Sequence, residues 1–122
     1  MQAGMARAAH TYYQTQEQPQ STVGLVVMLY DGALRFMRLA ADAMRRRDML
    51  AKREGMSRSM AILSELQNTL DLEAGGDVSK SLDSLYAYVM GRLVDANVKC
   101  DPAPIDESIR LIQPLRDAWA EV

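Results

Sequence analysis

Four stretches of this 122-residue sequence repeat apolar residues at spacings of three and four, and three short breaks separate them. The first stretch runs through Leu25, Leu29, Ala33, Phe36 and Ala40, with a second stripe at Val26, Tyr30, Met37, Ala41 and Met44 beside it. Met56, Met60, Leu63, Leu66 and Leu70 form the next. Val78, Leu82, Leu85, Val89, Leu93 and Ala96 form the third, flanked by Tyr86, Met90 and Asn97. Ile105, Ile109, Ile112 and Leu115 lead to Trp119 in the last. That period is the helical one, and no segment alternates as a strand does. Short breaks make sequential helices antiparallel neighbours. The expectation is an all-α, antiparallel up-down four-helix bundle over residues 21–122, preceded by an N-terminal arm.

The breaks carry helix punctuation. Ser21 or Thr22 can cap the first helix, and Arg45, Arg46 and Arg47 complement its negative end. Asp48 can cap the second. Gly55 is a blemish in that helix, which leaves room for a break near Arg53–Ser57. Gly75-Gly76 is expected to end it, with Asp77 capping the third. Asp101-Pro102-Ala103-Pro104 reads as a stop and a start, Pro104 suiting the first helical position. Pro114 lacks a backbone donor and collides with the carbonyl of Arg110, which predicts a kink or an early end. Asp31–Arg35, Asp42–Arg46, Glu54–Arg58 and Asp106–Arg110 are spaced as helical ion pairs.

Composition narrows the function. Apolar residues make up 48% and charged ones 25%, with a net charge of −2, so nothing in the charge favours nucleic acid. The Arg cluster has acids beside it, which argues against an anionic-lipid patch. No apolar run is long enough to insert in a bilayer, and the N-terminus lacks a secretory apolar segment. Cys100 is the single cysteine, fitting a reducing compartment and read as a small, semi-buried residue. A cytoplasmic protein is expected. Catalysis finds no footing: His10 is the one histidine and lies in the arm, and neither a metal nor a phosphate-binding pattern occurs. No cofactor is expected. Nine Met in a helical bundle instead suit a binding module for amphipathic helices.

Residues 1–20 are polar and Gln-rich and read as a flexible arm. Tyr12 and Tyr13 interrupt that polarity and suggest that the arm docks somewhere. In the first helix, Gly32 sits inside the strongest part of the pattern, where Gly costs ~1 kcal/mol relative to Ala. It serves either close packing of a neighbouring helix or close approach of a partner.

The stretch Leu25–Phe36, written LVVMLYDGALRF, resembles the signature of the flagellar export chaperone FliS family. Leu63-Ser64-Glu65-Leu66 with Leu70–Gly76, then Leu85-Tyr86-Ala87-Tyr88 with Arg92–Asn97, then Leu115–Trp119, resemble further blocks of that family in the same order. Tyr12-Tyr13-Gln14 is similar to its N-terminal start. The resemblance implies a cytoplasmic chaperone that binds the C-terminal segment of flagellin, blocks premature polymerisation and helps deliver it to the membrane export gate. It also implies an arm that covers part of the same apolar surface when no client is bound. The sequence departs from the pattern at Ser21-Thr22, where the family has Ser-Pro, and at Pro114.

Helices 1 and 3 carry more apolar residues than a minimal core uses. Tyr30, Gly32, Met37, Met44, Met56, Met60, Ile62, Tyr86 and Met90 are therefore expected to line the flagellin-binding grooves, with Tyr12 and Tyr13 as groove cover or export-gate contact. Empty grooves would favour weak homodimerisation. Two other classes compete: an adaptor for a different amphipathic helix, and a membrane-surface protein acting through the Arg cluster.

Overall fold

The computed structural model describes residues 21–122. They form α1 (Thr22–Arg46), α2 (Met49–Asn68), α3 (Gly76–Lys99) and α4 (Ala103–Ala120), with no strand among them. α1 packs most extensively on α2 and next on α4; α3 meets α2 and α4 less extensively. The helices thus close a four-cornered ring with α1 opposite α3. Polar contacts fix the directions. Arg38 bonds Gln113 and Arg116 bonds Asp31, so α1 and α4 run antiparallel. Lys52 reaches the carbonyl of Asn97 and Gln67 that of Asp83, so α2 and α3 do too. The arm with Tyr12 and Tyr13 lies outside the described residues.

Local chemistry sets the helix ends. The Ser21 hydroxyl accepts from the Gly24 N–H at 3.0 Å, and the Asp48 carboxylate accepts from the Ala51 N–H at 3.1 Å. Each satisfies a donor that the first helical turn leaves without a partner. Arg47 and Cys100 close α1 and α3 in the left-handed conformation. Cys100 is exposed, not semi-buried, because it stands at that helix end beyond the core.

Four expectations are corrected. First, α2 runs unbroken through Arg53–Ser57. Gly55 is no blemish: a Cβ there would stand 2.8 Å from the Ala40 backbone nitrogen and 2.9 Å from the Phe36 carbonyl oxygen. The missing side chain lets α1 and α2 touch backbone to backbone, which outweighs the propensity cost. Second, α2 ends at Asn68, not at Gly75-Gly76. The Thr69 hydroxyl donates to the Leu66 carbonyl, and the Asp71 carboxylate accepts from the Glu73 and Ala74 N–H groups, so the chain turns early. Third, Gly75 rather than Asp77 stands at the α3 N-cap, and Asp77 lies in the first turn. A side chain at residue 75 would overlap the Ser79 hydroxyl, 1.7 Å from its Cβ position, and Gly76 has φ +56°. Fourth, α4 continues through Pro114 to Ala120. Pro114 and Arg110 are both exposed, so water can take up the carbonyl that the proline leaves unbonded.

Of the ion pairs read from spacing, Asp42–Arg46 and Glu54–Arg58 form at 2.9 Å and 3.2 Å. The other two acids turn to a neighbouring helix: Asp31 pairs with Arg116 and Asp106 with Arg45. Both tie α1 to α4.

Gly55→Ala tests the close approach. In a free helix the change would stabilise by about 1 kcal/mol. Here the new methyl meets backbone, so a net loss of about 1–3 kcal/mol is expected in urea denaturation. A stabilised variant would show that α1 can move off.

Candidate functional site

The core is continuous. Leu29, Ala33, Leu34, Met37, Ala40 and Ala41 of α1 meet Ile62, Leu63 and Leu66 of α2, Val89, Leu93 and Ala96 of α3, and Ile105 and Ile112 of α4. This core accounts for most of the residues expected to line surface grooves. Tyr30, Met37 and Met44 on α1, and Ile62 on α2, are 0%, 0%, 5% and 1% exposed, and Gly32 is buried as well. The expectation that the second stripe is surplus is thereby corrected: with α1 opposite α3 across the ring, both stripes are needed to fill the centre. Met60 and Met90 remain half-buried.

Two of the openings among the described residues have largely apolar walls contributed by both α2 and α3. At one end of the bundle lies a cleft of about 530 Å³. Val23, Val26 and Leu29 from the start of α1, Leu66 and Leu70 from the end of α2, Val78, Leu82 and Tyr86 from α3, and Trp119 from α4 line it, with Glu65 and Asp71 among its polar residues. It forms here because the chain leaves α2 at Asn68 and enters α3 only at Gly76, so among the described residues no helix covers this end of the core. Farther along the α2–α3 seam, Met49, Met56, Met60 and Val94 line a groove of about 470 Å³ that Lys52 and Arg53 also border. Tyr86 and Met56 are the buried expected residues that contribute to these walls.

Beneath the cleft lies the one polar contact of the described side chains that crosses the ring. The Tyr30 and Tyr86 hydroxyls are 2.5 Å apart, with ring centroids at 6.3 Å. Burial pushes both phenols above their ordinary pKa of 10.0, because an ion there would lose its hydration. Elsewhere α3 is clasped to α4 on the surface: Glu107 accepts from the Arg92 guanidinium at 2.7 Å and the Tyr88 hydroxyl at 2.9 Å. The Arg92 guanidinium, then the Tyr88 hydroxyl, hold the Glu107 carboxyl below its usual range.

The Arg cluster at the end of α1 is partly spent on neighbours. Arg45 pairs with Asp106, and Arg46 with Asp42 and Asp48. No group of three or more potential metal ligands occurs among the described residues. None of the described helices is long and apolar enough to cross a membrane.

The cleft residues Leu70, Leu82 and Trp119 belong to the main apolar stripes of the sequence and Val26 to the second stripe of α1, so all four are legible as apolar but not as a cleft. The signal that marks them is position. Each lies near a helix terminus, and α1 and α3 begin where α2 and α4 end, beside the longest connection.

The sequence profile described as "Flagellar protein FliS" matches residues 5–122. The flagellar secretion chaperone FliS of Bacillus subtilis is 37% identical over 113 residues, spanning 92% of this chain and 84% of that protein. Its counterpart in Campylobacter jejuni is 38% identical over 115 residues, spanning 94% and 90%. That of Salmonella typhimurium is 33% identical over 99 residues, spanning 80% and 73%.

Two measurements check the tyrosine pair. Tyr30→Phe leaves the Tyr86 hydroxyl buried without its partner, and the expected cost is about 1–3 kcal/mol in denaturant unfolding. The double change to Phe removes both polar groups and should cost less than the sum of the single changes. In pH titration, the unfolded chain releases these phenolic protons near pH 10 while the folded chain keeps them. Stability is therefore complete below the ordinary tyrosine pKa and falls as pH rises above it. The double Phe variant should lose less stability there than the parent.

Proposed function

Since the chain belongs to the FliS family, we propose that it is a cytoplasmic secretion chaperone that binds the C-terminal segment of flagellin, keeps it from polymerising early and helps present it to the flagellar type III export gate. The observation that carries this reading is the apolar cleft at the end of the bundle. Its walls come from Val26, Leu29, Leu66, Leu70, Leu82 and Trp119. A recess of that kind accepts the apolar stripe of an amphipathic helix, anchored at i, i+3, i+4 and i+7. A flagellin segment that is unfolded when free carries such stripes uncovered, and seating one in the cleft removes the surface that drives assembly. The names of the relatives supply the flagellar client; the cleft supplies the means of holding it.

This role is binding, without bond making or breaking. Affinity per unit of buried area is modest, because the segment must be ordered as it docks. Of the competing classes, a membrane-surface role through the Arg cluster is disfavoured by the pairing of Arg45 and Arg46 with carboxylates. An adaptor for some other helix is separated by the choice of ligand.

Calorimetric titration of the chain with the C-terminal segment of its own organism's flagellin is the direct test. Binding near one-to-one, with a negative heat-capacity change and a shift in Trp119 fluorescence, is the expected outcome. Leu70→Glu places a charge in the half-buried cleft wall and should weaken binding at least tenfold, about 1.4 kcal/mol, while helical content is kept. No binding by the full chain, or by a chain lacking residues 1–20, would remove flagellin as the client.

A further inference from the structure

Two openings lie along the α2–α3 seam, and they differ in kind. Between them the Ser64 hydroxyl meets the Met90 sulfur at 3.7 Å, which draws the helices together. On one side is the cleft, with Glu65 and Asp71 at its border. On the other is the groove of about 470 Å³ lined by Met49, Met56, Met60 and Val94, with Lys52 and Arg53 at its border.

Exposed apolar residues continue along the same two helices beside the groove residues Met49 and Val94. Met49 is 46%, Leu50 75%, Val94 50% and Val98 78% exposed, and these four stand on the first turn of α2 and the last turns of α3. Large apolar side chains gathered in this way around a recess mark a contact surface, whereas scattered ones do not. Methionine lining suits it, since an unbranched thioether adapts to the partner. From residue 49 to residue 60 α2 rises about 16 Å, three helical turns, the length over which an amphipathic helix presents its anchors.

The charges choose the partner. Arg45, Arg46, Arg58, Arg92 and Arg116 each have a carboxylate, whereas Arg35, Arg38, Arg47, Lys80, Lys99 and Arg110 form no ion pair among the described residues and none of these six lines the groove. In the groove, Lys52 bonds only the Asn97 carbonyl, at 3.3 Å, and no ion pair involves either Lys52 or Arg53 among the described residues. The nearest acid in sequence, Glu54, is already committed to Arg58. We propose that the Met-lined groove between α2 and α3 docks an amphipathic helix of a second protein, one whose apolar stripe is flanked by carboxylates, and that it does so independently of the cleft. The apolar stripe covers Met56, Met60 and Val94, and the carboxylates meet Lys52 and Arg53.

The chain carries its own reporters. Three Met methyl groups line the groove and none lines the cleft, whereas Trp119 lines the cleft and not the groove. Two synthetic peptides of about 14 residues, long enough for the groove, share one Leu stripe and differ in having Glu or Lys beside it. Methyl NMR of the full chain should show the Glu peptide shifting Met49, Met56 and Met60 with Trp119 fluorescence unchanged. The Glu peptide should bind about fivefold tighter than the Lys peptide, the worth of two exposed ion pairs. The double variant K52E/R53E should reverse that preference, and circular dichroism checks that it folds. The Met shifts should persist when the flagellin segment is present in excess. Equal binding of the two peptides, or unmoved Met signals, would overturn the proposal. So would competition by the flagellin segment, which would assign the groove to the same ligand as the cleft. Failure of flagellin to bind at all would sink the chaperone reading and leave this result intact.

Discussion

At Gly55 the α2 backbone rests against Ala40 and Phe36 of α1, closer than any side chain would allow. Much of the molecule follows from that contact. Two helices held at backbone distance form one thick slab, and α4 is tied to its other side by Asp31–Arg116 and Arg45–Asp106. α3 completes the ring across a wider gap that only side chains span. Its anchors are Tyr86 reaching Tyr30, Met90 against Ser64, and the Tyr88–Glu107–Arg92 clasp. The cleft and the Met-lined groove both lie beside α3 for this reason. A ring that is tight at one corner and loose at another exposes its interior at the loose one.

The tyrosine pair shows what it takes to hold such a helix without closing the gap. A leucine pair at residues 30 and 86 would bury comparable area but would impose no direction. Two hydroxyls that can satisfy each other only at one separation fix the distance between α1 and α3, and the penalty for missing it falls on both. The bond also stands directly under the cleft, whose wall includes Tyr86. Depth and position of the recess are thus set by a hydrogen bond, while its affinity for apolar groups is set by the leucines and Trp119 around it.

Helix number and order could be read from periodicity, and the first two N-caps from residue type, because each rests on neighbours in sequence. Ser21, Asp48 and the two retained ion pairs are local features, and all form. What depends on distant neighbours could not be read. Gly55 looks like a defect until Ala40 is beside it. Asp31 and Asp106 have an arginine four residues on, yet an arginine on the facing helix takes each of them. The same limit explains the site. Tyr30, Met37 and Ile62 were assigned to grooves because one stripe per helix fills a slender bundle, and this bundle is not slender. Leu70 and Leu82 read as core because periodicity reports which face is apolar and not where the core runs out.

A protein that keeps apolar surface open must still avoid its own kind. Here the open surface is divided and recessed. The cleft lies between helix ends with carboxylates at its border, and the groove lies along a seam with cations at its border. Two such surfaces of the same kind repel across a symmetric contact, since like charges would face each other. A cleft meeting a groove would pair opposite charges, but such a contact is head-to-tail and does not close on itself. Leu72 and Val78 stand exposed beside the acidic turn at Asp71 and Glu73, so the end of the bundle that could initiate that contact is also ringed with negative charge. Border charge therefore does two jobs at once. On the proposed reading it sets which chemistry each recess admits, and like charges facing each other across a two-fold axis oppose the closed, symmetric dimer.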